Sequence, residues 1–254
     1  MASFLVTGAS RGLGLAFVRE LISRPTSEVG LVFAGTRGDA PTLDEIVDKS
    51  SGRLVVVKLD VTDQVSIKKA AAEVEAKLGG KGLDVLINNA GIAKYVTDGI
   101  KSMDNLEESF TTNVMGVHWV TREFLPLLQK GTLKKVANIS TPMGCTSIAK
   151  ITAFLPVPAY KVSKAALNAL TAHYAVEYEK EGFSFIALCP GWIKTDFGGD
   201  DAHLTPEEGA KGSLDIILTE GQKYNGKFQK TFVKGWENNR EHGPEAYDGT
   251  ELPW

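Results

Sequence analysis

Cysteine and histidine are scarce in this sequence, with two and four residues respectively in a chain of 254. Two cysteines, Cys145 and Cys189, are too few for a disulfide framework, which favours a reducing compartment. Neither has the paired Cys/His spacing of a zinc site. The histidines, at positions 118, 173, 203 and 242, are also far apart. The sequence therefore predicts no metal site. Cys189 lies in an apolar run typical of a core strand, whereas Cys145 falls in a predicted active-site loop and its role stays open.

Long apolar runs and a charge excess are also missing. Spanning a bilayer takes about 20 apolar residues, and the most apolar loop, residues 151–160, is interrupted by Pro156 and Pro158. The first residues enter a strand pattern at once, which leaves no room for a signal peptide. The net charge is -3 and the basic residues are spread along the chain. We therefore expect a soluble, cytoplasmic protein with neither a nucleic-acid nor a membrane partner.

What the sequence does contain is enough apolar material for one large core, since 43% of the residues are hydrophobic. Short apolar runs alternate with helical patterns from residue 4 to residue 188, which is typical of βαβ units. This pattern predicts a single doubly wound, Rossmann-type α/β domain, with helices flanking a mainly parallel sheet of about seven strands. Within residues 1–254 we expect a cofactor-binding core over 1–190. Residues 191–254 would supply a substrate loop, the last helix and strand, and a tail.

A glycine-rich turn follows the first predicted strand. The sequence Thr7-Gly8-Ala9-Ser10-Arg11-Gly12-Leu13-Gly14 leads directly into a helical pattern. Glycine lets the backbone approach a pyrophosphate closely, and the helix N-terminus favours its negative charge. A tight strand-to-helix turn without a ligand is the alternative, but three glycines in this context indicate dinucleotide binding.

This turn resembles the G-x3-G-x-G motif of the short-chain dehydrogenases/reductases, and the resemblance extends over nearly the whole chain. It implies an NADP(H) cofactor, because Arg11 and Arg37 match basic positions of NADP-preferring members. A guanidinium pair can hold the 2′-phosphate, although Arg37 alone could be a solvated surface residue. The full set of cofactor contacts that the resemblance implies is Gly8, Ser10, Arg11, Gly12, Leu13, Gly14, Arg37, Asp60, Val61, Asn89, Ala90, Gly91, Tyr160, Lys164, Pro190, Gly191, Ile193 and Thr195.

Tyr160 and Lys164 form the main catalytic candidate. Their spacing of four residues puts both on one helical face, and a nearby ammonium is expected to lower the pKa of a phenol. An amphipathic helix with a half-buried tyrosine is the alternative. In the resembled family this pair protonates the carbonyl oxygen while hydride arrives from the nicotinamide. Family resemblance adds Asn113, at a helix distortion, and a hydroxyl after the fifth strand. Alignment on Gly144 favours Thr141 for that hydroxyl, with Ser140 as the runner-up.

The remaining segments bear on the substrate. The loop before Tyr160 is apolar and, with Trp192 and Phe197, suits an apolar or aromatic carbonyl compound. The Gly226-Lys227-Phe228 run and the closing residues 247–254 resemble the Sniffer and C-factor branch of carbonyl reductases, with fungal polyketide ketoreductases as relatives. Residues 234–244 look like a local insertion. We expect NADPH-dependent reduction of a ketone or aldehyde by a homodimer or homotetramer. A catalytically silent dinucleotide-binding sensor is the alternative, while a sugar-nucleotide epimerase would need a larger carboxyl-terminal domain.

Overall fold

Seven parallel strands form the centre of the computed structural model, which describes residues 1–237 and 246–254. Their order in the sheet is β3-β2-β1-β4-β5-β6-β7, and this confirms the predicted doubly wound fold. The strands are almost wholly buried, because helices cover both faces of the sheet. They are β1 (Ala2–Thr7), β2 (Val29–Thr36), β3 (Leu54–Lys58), β4 (Val85–Asn88), β5 (Lys135–Ile139), β6 (Ser184–Cys189) and β7 (Lys227–Lys230).

The helices lie in two layers, each with its own apolar core. The helices are α1 (Gly12–Ser23), α2 (Pro41–Lys49), α3 (Gln64–Leu78), α4 (Leu106–Phe110), α5 (Gly116–Lys130), α6 (Pro158–Glu177) and α7 (Pro206–Ile217). One core joins the sheet to α1, α2 and α7 through side chains such as Phe17 and Leu214. The other joins it to α3, α5 and α6 through side chains such as Ile67 and Phe124. The longer helices each bury one apolar stripe against the sheet.

The sequence pattern predicts one long helix over residues 103–129, and the structure differs from this prediction. Helix α4 begins at Leu106, and a π-helical turn over Thr111–Met115 separates it from α5. Close packing fixes the start of α5, since a Cβ on Gly116 would lie 2.8 Å from the carbonyl oxygen of Val61. Gly116 therefore packs the start of α5 against the loop that follows β3.

The carboxyl ends of β1 and β4 mark the point where the strand order reverses. Ligands in open α/β sheets bind at such a switch point. The Thr7 hydroxyl accepts hydrogen bonds from the backbone N–H groups of Asn89 (3.0 Å) and Ala90 (3.1 Å). The Asn89 side chain donates back to the Thr7 carbonyl at 2.9 Å. The two loops that meet at the switch point are therefore held in one arrangement.

After β7 the chain returns along the sheet edge as a C-terminal tail, residues 246–254. Antiparallel bridges join Gln229 to Glu251 and Phe232 to Asp248. The Asp248 carboxylate also pairs with the buried Lys230 ammonium at 2.9 Å. The tail is thereby fixed to the last strand. The insertion predicted at 234–244 extends beyond the described residues.

Two further findings concern the described ranges alone. Every helix within residues 1–237 and 246–254 is too short or too polar to cross a membrane. The same ranges contain no cluster of three His, Cys, Asp or Glu side chains that could hold a metal ion. His242 lies outside the described residues.

Candidate active site

A cleft of about 1500 Å³ opens at the carboxyl ends of the strands. It brings together loops that follow six of the seven strands, because parallel strands all end at the same edge. Among the predicted site residues, those that line the cleft are Gly8, Ser10, Arg11, Gly12, Leu13, Gly14, Arg37, Asp60, Val61, Asn89, Ala90, Gly91, Ser140, Thr141, Tyr160, Lys164, Pro190, Gly191, Ile193 and Thr195. Asn113 lies behind this wall.

Two glycine positions of the glycine-rich turn are packed too closely to accommodate a side chain. A Cβ on Gly14 would lie 2.2 Å from the Gly8 carbonyl oxygen, and one on Gly8 would lie 2.9 Å from the Ala90 Cα. Gly8 also has a φ of +67°, in the left-handed region that favours glycine. At the N-terminus of α1, Arg11 makes no side-chain cap and the first turn carries no acidic residue. This backbone therefore fits a phosphate group.

Two arginines and an aspartate line the part of the cleft where we expect the adenine half of the cofactor. Arg11 and Arg37 both line the cleft, and the Arg11 guanidinium is paired with Asp196 at 3.0 Å. Both members of that pair are highly exposed, so Arg11 can exchange partners at small cost. Asp60 Oδ1 accepts hydrogen bonds from the backbone N–H and hydroxyl of Thr62. The two guanidinium groups can donate hydrogen bonds to an anionic ribose phosphate.

Tyr160 and Lys164 lie one turn apart on α6 and are both buried at the cleft wall. The Lys164 ammonium donates to the Ile139 carbonyl at 2.6 Å. Its nitrogen is 5.6 Å from the centroid of the Tyr160 ring. The helical spacing therefore places a cation beside the phenol, as the sequence predicted.

Burial sets the protonation of this pair. It lowers the pKa of Lys164 to about 8 and raises the pKa of Tyr160 well above its usual value, with a smaller contribution from Cys189. The prediction that the ammonium lowers the pKa of Tyr160 is wrong for this arrangement, because the loss of solvent around the phenol dominates. At neutral pH the tyrosine is protonated and the lysine is largely charged.

The hydroxyls after β5 have different environments. The Ser140 side chain is buried, and its Oγ donates to Asn168 Oδ1 at 2.6 Å. Thr141 is less buried, and its hydroxyl accepts only a long hydrogen bond, 3.4 Å, from the Met143 N–H. The Thr141 hydroxyl thus keeps its own proton available to a ligand in the cleft, whereas the Ser140 proton is engaged.

Asn113 occupies the π-helical turn and is completely buried. Its Oδ1 accepts from the Ile92 N–H and its Nδ2 donates to the Ile92 carbonyl, both at 2.9 Å. Nδ2 also donates to the Ser163 hydroxyl at 3.0 Å. The side chain therefore ties the loop after β4 to α6, next to Lys164. The helix distortion implied by the family resemblance is present at this residue.

The loop after β6, residues 190–204, completes the cleft. Thr195 lies against the glycine-rich turn, where a Cβ on Gly12 would come within 3.1 Å of its methyl group. Phe197 packs edge-on against Tyr160, with 5.2 Å between ring centroids. Trp192, Phe154 and Leu155 also line the cleft. The predicted aromatic and apolar side chains thus line the same cleft as Tyr160, and Phe197 contacts its ring.

Both cysteines are buried, and burial raises the pKa of each to about 11. The Cys145 thiol donates to the Pro253 carbonyl at 2.8 Å. Cys189 packs with Ala187 and Phe228, as expected of a core residue. Neither thiol has the lowered pKa of a nucleophile.

Sequence reasoning missed several side chains of the cleft wall, among them Leu59, Lys94, Glu108 and Tyr247. Tyr247 lies in the C-terminal tail, yet it is buried and lines the cleft. It stands next to the Asp-Gly pair that carries the family resemblance, but that pattern gives no indication of what the tyrosine contacts.

Comparisons with known proteins agree with this site. The short chain dehydrogenase family model matches residues 3–203. A short-chain dehydrogenase/reductase of Arthrinium, atnB, is 33% identical over 236 residues, which cover 88% of this chain and 84% of the relative.

Two solved structures share the whole fold. The NADPH-bound carbonyl reductase from chicken fatty liver is 35% identical with a TM-score of 0.86, over 100% of this chain and 99% of that one. The carbonyl reductase Sniffer of Drosophila melanogaster is 29% identical with a TM-score of 0.86, over 100% of both chains. The Sniffer-like resemblance predicted from the chain ending is confirmed, and a silent sensor is not favoured. The chain belongs to the short-chain dehydrogenase/reductase family of oxidoreductases, among relatives of the carbonyl reductase type.

Proposed function

We propose that this protein reduces a ketone or aldehyde to an alcohol with NADPH, with Tyr160 as the proton donor. The observation that carries the proposal is the buried Tyr160–Lys164 pair, which faces the same cleft as the Thr141 hydroxyl and the glycine-rich turn. When bound, the reduced nicotinamide supplies a hydride to the carbonyl carbon.

Residues of the chain hold the dinucleotide in this proposal. The backbone of the glycine-rich turn and the first turn of α1 would bind the pyrophosphate. Arg37 and Arg11 would bind the 2′-phosphate, Arg11 by leaving Asp196. Asp60 and Val61 would contact the adenine. Asn89, Ala90 and Gly91 would contact the ribose, while Ile193 and Thr195 would hold the carboxamide. The NADPH-bound state of the chicken relative adds support for this cofactor.

Proton transfer follows from the protonation of the buried pair. The raised pKa of Tyr160 keeps a proton on its Oη at neutral pH. As hydride reaches the carbonyl carbon, the carbonyl oxygen takes that proton, and the phenolate left behind is stabilised by the Lys164 ammonium. The Thr141 hydroxyl donates a hydrogen bond to the same carbonyl oxygen. Tyr160 then regains a proton from solvent by way of Lys164, whose surroundings Asn113 fixes.

The cleft walls favour an apolar or aromatic carbonyl compound. Phe197 packs against Tyr160, Trp192 lines the same cleft, and Phe154 and Leu155 belong to the loop before Tyr160. Such walls bury an apolar substrate while leaving the reacting oxygen to the polar groups. Assays of a panel of aldehydes, ketones and quinones, in which NADPH consumption is monitored by absorbance at about 340 nm, would identify the class of carbonyl substrate.

The Tyr160→Phe variant tests the proton donor. We expect kcat for carbonyl reduction to fall by about 10²- to 10⁴-fold while the NADPH Kd changes less than twofold, because the ring and its packing against Phe197 remain. Steady-state kinetics and fluorescence titration of NADPH measure the two quantities. Retention of wild-type activity in this variant would refute the mechanism.

Paired variants of Thr141 and Ser140 test the carbonyl-polarising group. We expect Thr141→Ala to lose roughly 10- to 10³-fold in kcat and Thr141→Ser to restore most of it, because only the hydroxyl is needed. Ser140→Ala should lower stability by about 1–2 kcal/mol through the lost bond to Asn168, with a smaller effect on kcat. The assignment is wrong if Thr141→Ala turns over at a near-normal rate.

Cytoplasmic location and self-association stay predictions. The two buried, free cysteines are compatible with a reducing compartment. Light scattering of the purified protein measures the oligomeric state.

A further inference from the structure

The loop after β6 has a short ladder at its base and carries its functional side chains at its tip. The Lys194 N–H donates to the Leu204 carbonyl at 2.8 Å, and the Leu204 N–H donates to the Trp192 carbonyl at 3.0 Å. Beyond this base lie Thr195 and Phe197, which face the glycine-rich turn and Tyr160. The position of the tip therefore depends on how the base is held.

Tyr247 joins both sides of that base. Its hydroxyl accepts a hydrogen bond from the Trp192 N–H at 3.1 Å and is hydrogen bonded to His203 Nδ1 at 3.2 Å. The ring also packs under Gly191, where an added Cβ would lie 3.2 Å from Tyr247 Cε1. One phenol thus contacts the loop where it leaves β6 and where it returns.

Hydrogen bonds to the segment after β7 hold the backbone of Tyr247. Its N–H donates to the Trp236 carbonyl at 3.1 Å, and its carbonyl accepts from the Val233 N–H at 2.9 Å. Trp236 also stacks on His203 of the loop, with ring centroids 5.0 Å apart. Tyr247 therefore connects the segment that follows the last strand to the loop.

We propose that Tyr247 is a positioning residue that holds residues 190–204 in the arrangement that binds the nicotinamide half of the cofactor. This inference rests on the proposed function, in which Ile193 and Thr195 of this loop hold the carboxamide. It assigns a task to the C-terminal tail, of whose described residues Tyr247 lines the cleft. In the proposed function the adenine half would bind to the glycine-rich turn and the loops after β2 and β3, whereas the hydrogen bonds described for the Tyr247 hydroxyl go to the loop after β6.

The test compares Tyr247→Phe with Tyr174→Phe. The control removes a tyrosine hydroxyl that is likewise hydrogen bonded to a histidine, His118 at 2.9 Å, but on the α5–α6 surface away from the cleft. Calorimetry measures the Kd of NADPH and of 2′-phospho-ADP-ribose, which lacks the nicotinamide. We expect Tyr247→Phe to weaken NADPH about 5- to 20-fold and 2′-phospho-ADP-ribose less than twofold, because one or two hydrogen bonds are lost at the loop alone. Tyr174→Phe should leave both values unchanged.

Equal weakening of both ligands would show a general structural role and overturn the proposal, as would no change in either. Hydrogen exchange gives a readout without cofactor: amides of residues 192–204 should exchange faster in Tyr247→Phe than in wild type or Tyr174→Phe. Unchanged exchange overturns the proposal even if NADPH binds. If the wild type binds neither ligand, the proposed function fails and this inference fails with it, whatever the exchange data show.

A second variant covers the case in which Tyr247→Phe does not fold. His203→Phe keeps a ring to stack on Trp236 and removes the Nδ1 partner of the Tyr247 hydroxyl. We expect the same selective loss of NADPH over 2′-phospho-ADP-ribose. Equal loss of the two ligands in this folded variant would contradict the proposal.

Discussion

At Lys164, burial disfavours the charged form of the side chain and lowers its pKa to about 8. The same nitrogen donates a hydrogen bond to the Ile139 carbonyl. The result is a lysine that titrates just above neutral pH next to a tyrosine that does not. The chemistry proposed for Tyr160 needs the charged form, so this one residue should control the pH range of the reaction.

The pH dependence of activity tests this point. The ammonium form of Lys164 is present below its pKa of about 8 and lost as pH rises through that value. We therefore expect kcat/KM for reduction to be flat near neutral pH and to fall about tenfold per unit above roughly pH 8.

Lys164→Arg is the matched control, because its guanidinium stays charged throughout this range. Its activity, at whatever level, should show no decline between pH 7 and 10. A wild-type profile that is equally flat over this range would rule out Lys164 as the titrating group.

At the scale of the element, the start of α1 depends on glycine positions in the preceding turn that have no room for a Cβ atom. Gly14 is the first-turn residue that packs directly on the Gly8 carbonyl, and its Cβ would also lie 2.6 Å from Asn89 Nδ2. The turn after β1, the helix it enters and the loop after β4 therefore form one packed unit. A change in this unit affects the phosphate-binding backbone as a whole.

Gly14→Ala tests that unit. The added methyl group would meet the Gly8 carbonyl at 2.2 Å, so the turn must move. We expect the NADPH Kd to rise by at least about tenfold, measured by fluorescence titration. Gly52→Ala is the comparison, since a Cβ there meets nothing within 4 Å and Gly52 lies outside the cleft lining. Its positive φ costs some stability, but its NADPH Kd should change less than twofold. Equal affinities for the two variants would disprove a steric role for Gly14.

For the molecule as a whole, the proposed chemistry depends on the carboxyl ends of the strands, whereas an important stabilising contact lies at their amino ends. At the amino ends of the strands, away from the cleft, the Asp84 carboxylate accepts hydrogen bonds from Ser3, Thr132 and Leu133. Although burial raises the pKa of Asp84, these bonds outweigh it and hold the pKa below its usual value. One side chain thus joins β1, β4 and the turn before β5.

Asp84→Asn should reduce stability without changing the chemistry. Because the folded-state pKa is lowered, the carboxylate stabilises the fold above its unfolded pKa, and this contribution is lost as pH falls through the folded value. We expect the variant to lose about 2–4 kcal/mol in urea unfolding at pH 7 and less at about pH 3.

Asp215→Asn is the control, since the Asp215 carboxylate that pairs with Arg24 is itself largely exposed and should contribute less than about 1 kcal/mol. The folded Asp84→Asn protein should keep wild-type kcat. A difference in unfolding free energy that does not depend on pH would mean that the charge of Asp84 is not what stabilises the fold.

The sequence by itself determined the fold class, the glycine-rich turn and the pairing of Tyr160 with Lys164. These features depend on local geometry. Strand and helix periods follow from side-chain direction, glycine is required by the path of the turn, and a spacing of four always lies along one helical face. The start of α1 at Gly12 was predictable for the same reason.

Only the tertiary structure decided which side chains are exposed to solvent and which are hydrogen bonded to distant residues. It buried the Ser140 hydroxyl against Asn168, left that of Thr141 in the cleft, and raised the pKa of Tyr160 where spacing alone predicted a decrease. It also brought Tyr247 to Trp192, 55 residues earlier in the chain. Burial and long-range contacts depend on how distant segments of the chain pack together. A local sequence pattern does not show which distant residues its side chains will contact.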